Sequence, residues 1–216
     1  MRILFQEELN SLHENISKML YLTENAIDKA IEALKTQNVA LAQEVIDGDD
    51  DIDKLERDIE KLCLEILIRQ APMAADFREV TATFKLITDL ERIADHAEDI
   101  CQIIVIIYNE RYVKPLIDIP LMANTARVMV NKAITSFLNK DKALAKEVCK
   151  QDAEVDTLYW KVYNEIINIM KSNPSSIEQC VALLQIAKYF ERIADHATNI
   201  GEWVVFNITG KHKHIQ

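Results

Sequence analysis

A seven-residue acidic motif occurs twice in this sequence and carries the side chains best suited to binding chemistry. The string ERIADHA at 91–97 returns unchanged at 191–197, 100 positions later. Each copy holds two carboxylates four residues apart, Glu91 with Asp95 and Glu191 with Asp195. On a helix, residues i and i+4 lie one above the other on a single face. Each copy therefore presents two carboxylates on one side of a helix.

A second acidic pair with the same spacing precedes each copy of the motif. These pairs are Asp49 with Asp53 and Asp152 with Asp156. They correspond when the chain is shifted by 103 residues, which also aligns LAQEV at 41–45 with LAKEV at 144–148. In the first half, both pairs lie about 20 residues from the turn near Pro72, at similar heights in an antiparallel helical hairpin. We predict that four carboxylates in each half face one another across a groove.

Facing carboxylates repel one another, so something positive is expected between them. Oxygen-rich ligation suits hard cations such as Mg, Mn or Fe, and sometimes Ca. Arg92 with His96, and Arg192 with His196, lie about 100° around the helix from the acids, and we expect them to flank the carboxylates as salt-bridge or hydrogen-bond partners.

Other interpretations of the acids stay open at this point. Acidic pairs at this spacing are common on solvated helix surfaces, and a helical scaffold that needs no metal is one alternative. A di-iron carboxylate or ferritin-like protein is another, but such bundles use Glu-x-x-His, whereas His96 lies five residues after Glu91. The sequence shows no glycine-rich phosphate loop and no Ser-His-Asp or Cys-His arrangement, so we do not expect an enzyme.

Composition favours a helical, acidic, intracellular protein. The chain has 216 residues with only 3 glycines and 4 prolines, and no stretch predicts a strand. A formal net charge of -10 disfavours nucleic-acid binding. The 4 cysteines lie in apolar helical patterns without CxxC spacing, and the first residues lack the apolar segment of a signal peptide. We therefore expect the cytoplasm, with attachment at the inner membrane face as an option.

The periodicity predicts an all-α fold of two tandem, pseudo-symmetric, antiparallel three-helix bundles. The first bundle covers 1–112, a linker covers 113–120, the second bundle covers 121–210 and a polar tail covers 211–216. Asn38 is predicted to cap the second helix. Asp76, followed by Glu79, predicts a capping box at the start of the third.

The doubled motif resembles the signature of the PhoU family, regulators of phosphate uptake. The resemblance rests on ERIADHAEDI at 91–100, ERIADHATNI at 191–200 and the loop RQAPMAADFR at 69–78. It implies two symmetric three-helix bundles that bind metal through the eight acids named above, with the identity of the metal open among Fe, Mn, Mg and Zn. One departure is that Glu98 and Asp99 are replaced by Thr198 and Asn199 in the second copy. If these positions contribute to the sites, the two sites differ in charge.

The resemblance also implies a role and partners. The role is negative regulation of phosphate-starvation signalling at the cytoplasmic side of the membrane. The implied partners are the phosphate-specific ABC transporter and a membrane sensor histidine kinase. We also expect a homodimer.

Overall fold

The computed structural model describes residues 2–109 and 111–211, with side chains from residue 5 onward. These residues form six long helices and no strand, which confirms the predicted all-α fold. The helices are α1 (Arg2–Thr36), α2 (Val39–Gln70), α3 (Ala75–Ile107), α4 (Asp118–Leu138), α5 (Lys142–Ser172) and α6 (Ile177–Thr209). A short 3₁₀ turn, Pro174–Ser176, precedes α6.

The two three-helix units pack against each other along their helices. α1 contacts α2, α3 and α4, while α6 contacts α3, α4 and α5. The helices α1, α3, α4 and α6 therefore form an inner layer, with α2 and α5 outside it. Burial follows this order, since α3 and α6 bury 15 residues each, whereas α2 buries 7 and α5 buries 5. One apolar core runs through both repeats.

The helix ends confirm one predicted cap and correct the other. The Asn38 side chain accepts a hydrogen bond from the Leu41 amide at 3.1 Å, as predicted. The capping box at Asp76 is wrong, because α3 begins one residue earlier at Ala75. Glu79 is instead buried and accepts hydrogen bonds from His13 Nε2 at 3.0 Å and Lys140 Nζ at 2.8 Å. Charge-assisted bonds to other elements outweigh a local cap here.

The connection between the repeats is shorter than predicted, and its side chains contact both repeats. α4 begins at Asp118, so the last three residues of the predicted linker are helical, and they are buried. Proline is compatible with the first turn of a helix, because its missing amide hydrogen has no partner there. Tyr112 donates a hydrogen bond to the Leu34 carbonyl of α1 at 2.7 Å, and Lys114 pairs with Glu165 of α5.

The predicted polar tail falls mostly on residues 212–216, which lie outside the described residues. Lys211 is described, and it is exposed.

Candidate metal centre

α2 and α3 bring three of the predicted carboxylates together in the first repeat. One oxygen each of Asp49, Asp53 and Asp95 lies within 4.8 Å of the other two. The neighbouring Ile52 and Ile93 are buried in the core. Their burial fixes the rotation of both helices and leaves the acids along the groove between them.

Glu91, the fourth predicted acid of this repeat, extends the cluster by one helical turn. Its side chain is 16% exposed, and its Oε2 atom is buried without a hydrogen-bond partner. The Nε atom of Arg92 lies 3.3 Å from that oxygen, and its Nη1 atom lies 2.7 Å from Asp95 Oδ2. Because the Arg92 side chain is 54% exposed, this cation sits on the rim of the cluster.

Burial and mutual repulsion raise the pKa values of these carboxyls. The pKa of Asp49 rises from 3.8 to about 7 through loss of hydration, and then through repulsion from Glu98 and Asp95. The pKa of Glu91 rises from 4.5 to about 7 through loss of hydration and repulsion from Asp95, with Arg92 acting in the opposite direction. Burial and the neighbouring Glu60 also raise the pKa of Glu56. The groove therefore holds more negative charge than its own cations compensate.

The first cluster fits a hard cation. All its donors are carboxylate oxygens, which Mg, Mn and ferric or ferrous iron accept. Opposite ligands of such ions are separated by about twice the metal–oxygen distance of ~2.1 Å, a span that the Asp49, Asp53 and Asp95 oxygens can meet. The Glu91 Oε2 atom, which accepts no hydrogen bond, is a further candidate ligand. When bound, the ion would offset the repulsion among these carboxylates.

The second repeat arranges its four acids differently. Among the described residues, Asp152, Asp156, Glu191 and Asp195 supply no trio of oxygens as close as that of the first repeat. The Lys188 ammonium donates a hydrogen bond to Glu191 Oε2. In the first repeat the position that corresponds to Lys188 holds Thr88. The second cluster thus contains a cation of its own.

Some repulsion persists in the second cluster. Although part of Asp195 is open to solvent, loss of hydration and repulsion from Glu191 raise its pKa to about 6. Loss of hydration and repulsion from Asp156 also raise the pKa of Asp152. The Lys188 ammonium opposes the shift at Asp195. A single ammonium therefore relieves the second cluster only in part.

The two motif histidines do not flank the acids as predicted. Their rings lie between α3 and α6, with centroids 5.5 Å apart. His196 Nδ1 lies 2.8 Å from Asp89 Oδ1, and the ring of His96 packs against Tyr189 at 5.3 Å. Burial, followed by repulsion from His196, lowers the pKa of His96. The physical reason is that the i+5 position turns each ring away from its own groove and toward the other repeat.

The structure places the other residues predicted to lie beside the acids in different surroundings. Arg92 contacts the acids of its own repeat, as expected. Asp99 lies beside His96, with 3.6 Å between Oδ2 and Nδ1. Asn199 donates to Asp89 across the repeats at 3.3 Å. Arg192 is exposed, and its charge acts from α6 on His96 of the first repeat, where it lowers the pKa.

Three charged residues near the sites were not predicted from the sequence. Lys188 lies three residues before Glu191, and Glu56 lies three residues after Asp53, so helical spacing carried a signal for both. Asp89 had no such signal, since its partner His196 is 107 residues away. Only the packing of α3 on α6 brings Asp89 and His196 together.

Comparison with known proteins identifies the family. The PhoU domain matches this chain twice, at residues 16–104 and 119–204. The chain belongs to the PhoU family. The matched ranges coincide with the two repeats and cover most of both.

Relatives of this PhoU-family chain match over nearly its full length. It is 40% identical over 213 residues to a phosphate-specific transport system accessory protein PhoU homolog of Aquifex aeolicus, with 97% of this chain and 96% of the relative covered. A homolog of the same name from Clostridium acetobutylicum is 35% identical over 211 residues, with coverage of 97% and 96%.

Solved PhoU structures share the fold. The crystal structure of PhoU from Pseudomonas aeruginosa superposes with a TM-score of 0.93 at 30% identity, covering 96% of this chain and all (100%) of that one. The structure of the phosphate transport system regulatory protein PhoU from Streptococcus pneumoniae gives a TM-score of 0.89 at 26% identity, with coverage of 97% and 99%. Within the described part of this PhoU-family chain, no helix combines the length and apolar character of a membrane span.

Proposed function

We propose that this chain is a metal-binding regulatory adaptor of phosphate uptake and of phosphate-starvation signalling. In this role it acts as a negative regulator from the cytoplasmic side of the membrane, on the phosphate-specific ABC transporter and on a sensor histidine kinase. Full-length relatives named as phosphate-specific transport system accessory proteins support the phosphate role. The kinase partner rests on the family resemblance of the doubled motif.

The observation that carries the metal-binding part is the carboxylate cluster of the first repeat. Three carboxylate oxygens lie within 4.8 Å of one another, beside a buried Glu91 oxygen that accepts no hydrogen bond and has the Arg92 Nε atom 3.3 Å away. Leaving a buried oxygen without a hydrogen bond costs about 1–3 kcal/mol. A bound cation removes this cost, and it lowers the pKa of each ligating carboxyl.

Each residue of the cluster has a distinct part in this proposal. Asp49, Asp53 and Asp95 hold the ion from two helices, so binding links α2 to α3. Glu91 would act as a further ligand from the preceding turn of α3, while Arg92 orients the Asp95 carboxylate from the rim. The ion would therefore make the outer face of the first repeat more rigid. A partner protein could recognise this face by the charge of the groove.

The second acidic cluster is proposed as a weaker site for the same class of ion. Lys188 already neutralises Glu191 there, and a cation must displace or tolerate that ammonium. Asp152, Asp156 and Asp195 remain available to bind it. Unequal affinities follow from unequal charge rather than from a different fold.

The adaptor is proposed to work as a homodimer, an arrangement supported by exposed apolar side chains near the turn between α2 and α3. Ile68 is 80% exposed and Met73 is 81% exposed. Sedimentation of the purified chain tests this part. A monomer at micromolar concentration would refute the homodimer and would leave the proposed metal site unaffected.

Metal analysis and a cellular reporter together test the proposal. The chain is purified without chelator and without an affinity-tag metal, and is then loaded with Mn or Fe. The expected result is bound metal in the wild type, none at the first site of a variant carrying Asp49→Asn, Asp53→Asn and Asp95→Asn, and derepressed phosphate-starvation genes in cells expressing that variant. Wild-type protein free of metal after loading would refute the metal part. Normal repression by the metal-free variant would instead support a metal-independent adaptor.

A further inference from the structure

The outward face of α5 carries three aromatic side chains that contact one another. Trp160 is 58% exposed. Its ring centroid lies 5.7 Å from that of Tyr159 and 5.4 Å from that of Tyr163, with interplanar angles of 67° and 68°. Tryptophan is usually well buried, because its ring removes a large apolar area from water. We call Tyr159, Trp160 and Tyr163 the α5 aromatic cluster.

The fold itself does not require the α5 aromatic cluster. The shift of 103 residues that relates the repeats places Glu56, Arg57 and Glu60 at the corresponding positions of α2. α2 packs against its neighbours with these charged side chains on its surface. The cluster is therefore specific to the second repeat, and it lies on the outer helix of that repeat.

Charges beside the cluster determine what can bind to it. The Lys188 ammonium lies 5.3 Å from the centroid of the Tyr159 ring while it donates to Glu191. This contact shows a cation held between a ring of the cluster and a carboxylate. Asp156 is exposed one turn before Trp160 on the same face of α5. Apolar rings next to carboxylates suit a ligand that is both apolar and basic.

We propose that the α5 aromatic cluster is a docking site for a basic amphipathic segment of a partner protein. The apolar face of that segment covers Trp160, and its Arg or Lys side chains reach Asp156 and the neighbouring acidic cluster. Charge selects this occupant, since the acids beside the rings attract basic side chains and repel an anionic lipid surface. The homodimer contact is proposed elsewhere, near the turn between α2 and α3. Exposed tryptophan with a polar surround is typical of residues that dominate interface energies. The proposal does not depend on metal at the first repeat.

A peptide-binding experiment on the full chain tests the docking site. The probe is a labelled amphipathic helix of Leu and Arg, about 18 residues long so that it can be helical, and fluorescence anisotropy gives its affinity at low salt. We expect Trp160→Ala to weaken binding at least about tenfold, and Trp160→Phe to retain most of it. Tyr21→Ala is the matched control, because Tyr21 is 67% exposed on α1, and it is expected to bind like the wild type. A peptide with Glu in place of Arg is expected not to bind.

Further measurements separate this docking site from other uses of the same surface. Asp156→Asn leaves the rings intact, so it is expected to weaken binding about threefold and to reduce the salt dependence. Equal peptide affinities for wild type and Trp160→Ala, with both proteins equally helical by circular dichroism, would overturn the proposal. So would an oligomer that Trp160→Ala dissociates, or binding to anionic vesicles that this substitution abolishes, because the occupant would then be a second copy or a lipid surface.

Discussion

The two repeats place the same four acids on corresponding helices, but they neutralise them in different ways. In the first repeat, oxygens of Asp49, Asp53 and Asp95 lie within 4.8 Å of one another, and a buried oxygen of Glu91 accepts no hydrogen bond. In the second repeat, Lys188 reaches Glu191 from one turn earlier on α6. One position that contributes to this difference holds Thr88 in the first repeat and Lys188 in the second. A repeated motif therefore fixes where acids lie but does not fix how their charge is balanced.

The surroundings of the two clusters reinforce this difference. The first repeat adds Glu98, whose charge is the main repulsion acting on Asp49, where the second repeat has Thr198. The second repeat adds the α5 aromatic cluster where the first has charged residues. We infer that the first repeat binds the cation more tightly and that the second repeat provides the docking site for a partner protein.

The largest expected effect is the loss of metal binding from the first repeat. Asp49→Asn with Asp95→Asn should weaken Mn binding by about 100-fold or more, since even residues that only orient ligands are worth about 10–100-fold. The matched pair Asp152→Asn with Asp195→Asn should change the tight-site affinity less than about threefold. Isothermal titration calorimetry measures both. Equal losses for the two pairs would show that the repeats are equivalent.

Exchanging the residue types at positions 88 and 188 should weaken metal binding at the first site and strengthen it at the second. Thr88→Lys places an ammonium three residues before Glu91 and should weaken first-site binding by about tenfold. Lys188→Met keeps the side-chain length, removes the charge and should strengthen the second site. Metal content per chain, measured by mass spectrometry of the native protein, reports both changes. Wild type that already binds two equivalent ions would contradict this explanation.

The metal-free protein should lose stability as the pH rises. The folded state raises the pKa of Asp49 and of Glu91 to about 7, from 3.8 and 4.5 respectively. Between about pH 4 and 7 the folded state therefore holds protons that the unfolded state has released, so the free energy of unfolding falls through this range. After allowance for solvent screening, we expect a decrease of about 1–2 kcal/mol.

Urea unfolding at a series of pH values measures this slope. Asp49→Asn removes one of the titrating groups and should flatten the curve. Saturating Mn should abolish the decrease, since metal binds the deprotonated carboxylates. A wild-type curve that rises from pH 5 to pH 7 without metal would exclude the raised pKa values.

The smallest expected effect separates the two motif histidines. His196→Phe leaves Asp89 without its closest partner and should destabilise the protein by about 1–2 kcal/mol. His96 Nδ1 is buried without a hydrogen-bond partner, so His96→Phe should change stability by less than about 0.5 kcal/mol or increase it. Thermal unfolding at one fixed pH compares the two variants. A larger loss for His96→Phe would show that its contacts with Tyr189 outweigh its missing hydrogen bond.

Local signals predicted much of the fold, but they failed where a side chain had a distant partner. Asn38 caps α2 because both groups lie within one turn. Asp76 and Glu79 matched a capping pattern equally well, yet Glu79 pairs with α1 and with the turn before α5. The predicted linker extends too far because proline commonly ends a helix, whereas Pro120 lies in the first turn of α4.

The sequence by itself determined the duplication, the helical class and the alignment of two acids on each helix face. These features follow from spacing along the chain, because a helix converts a four-residue step into a shared face. Only the tertiary structure decided which acids converge, that Lys188 belongs to the second cluster, and that the histidines join the two repeats. Those outcomes depend on how helices rotate and approach when one core is buried, and no local pattern specifies that rotation.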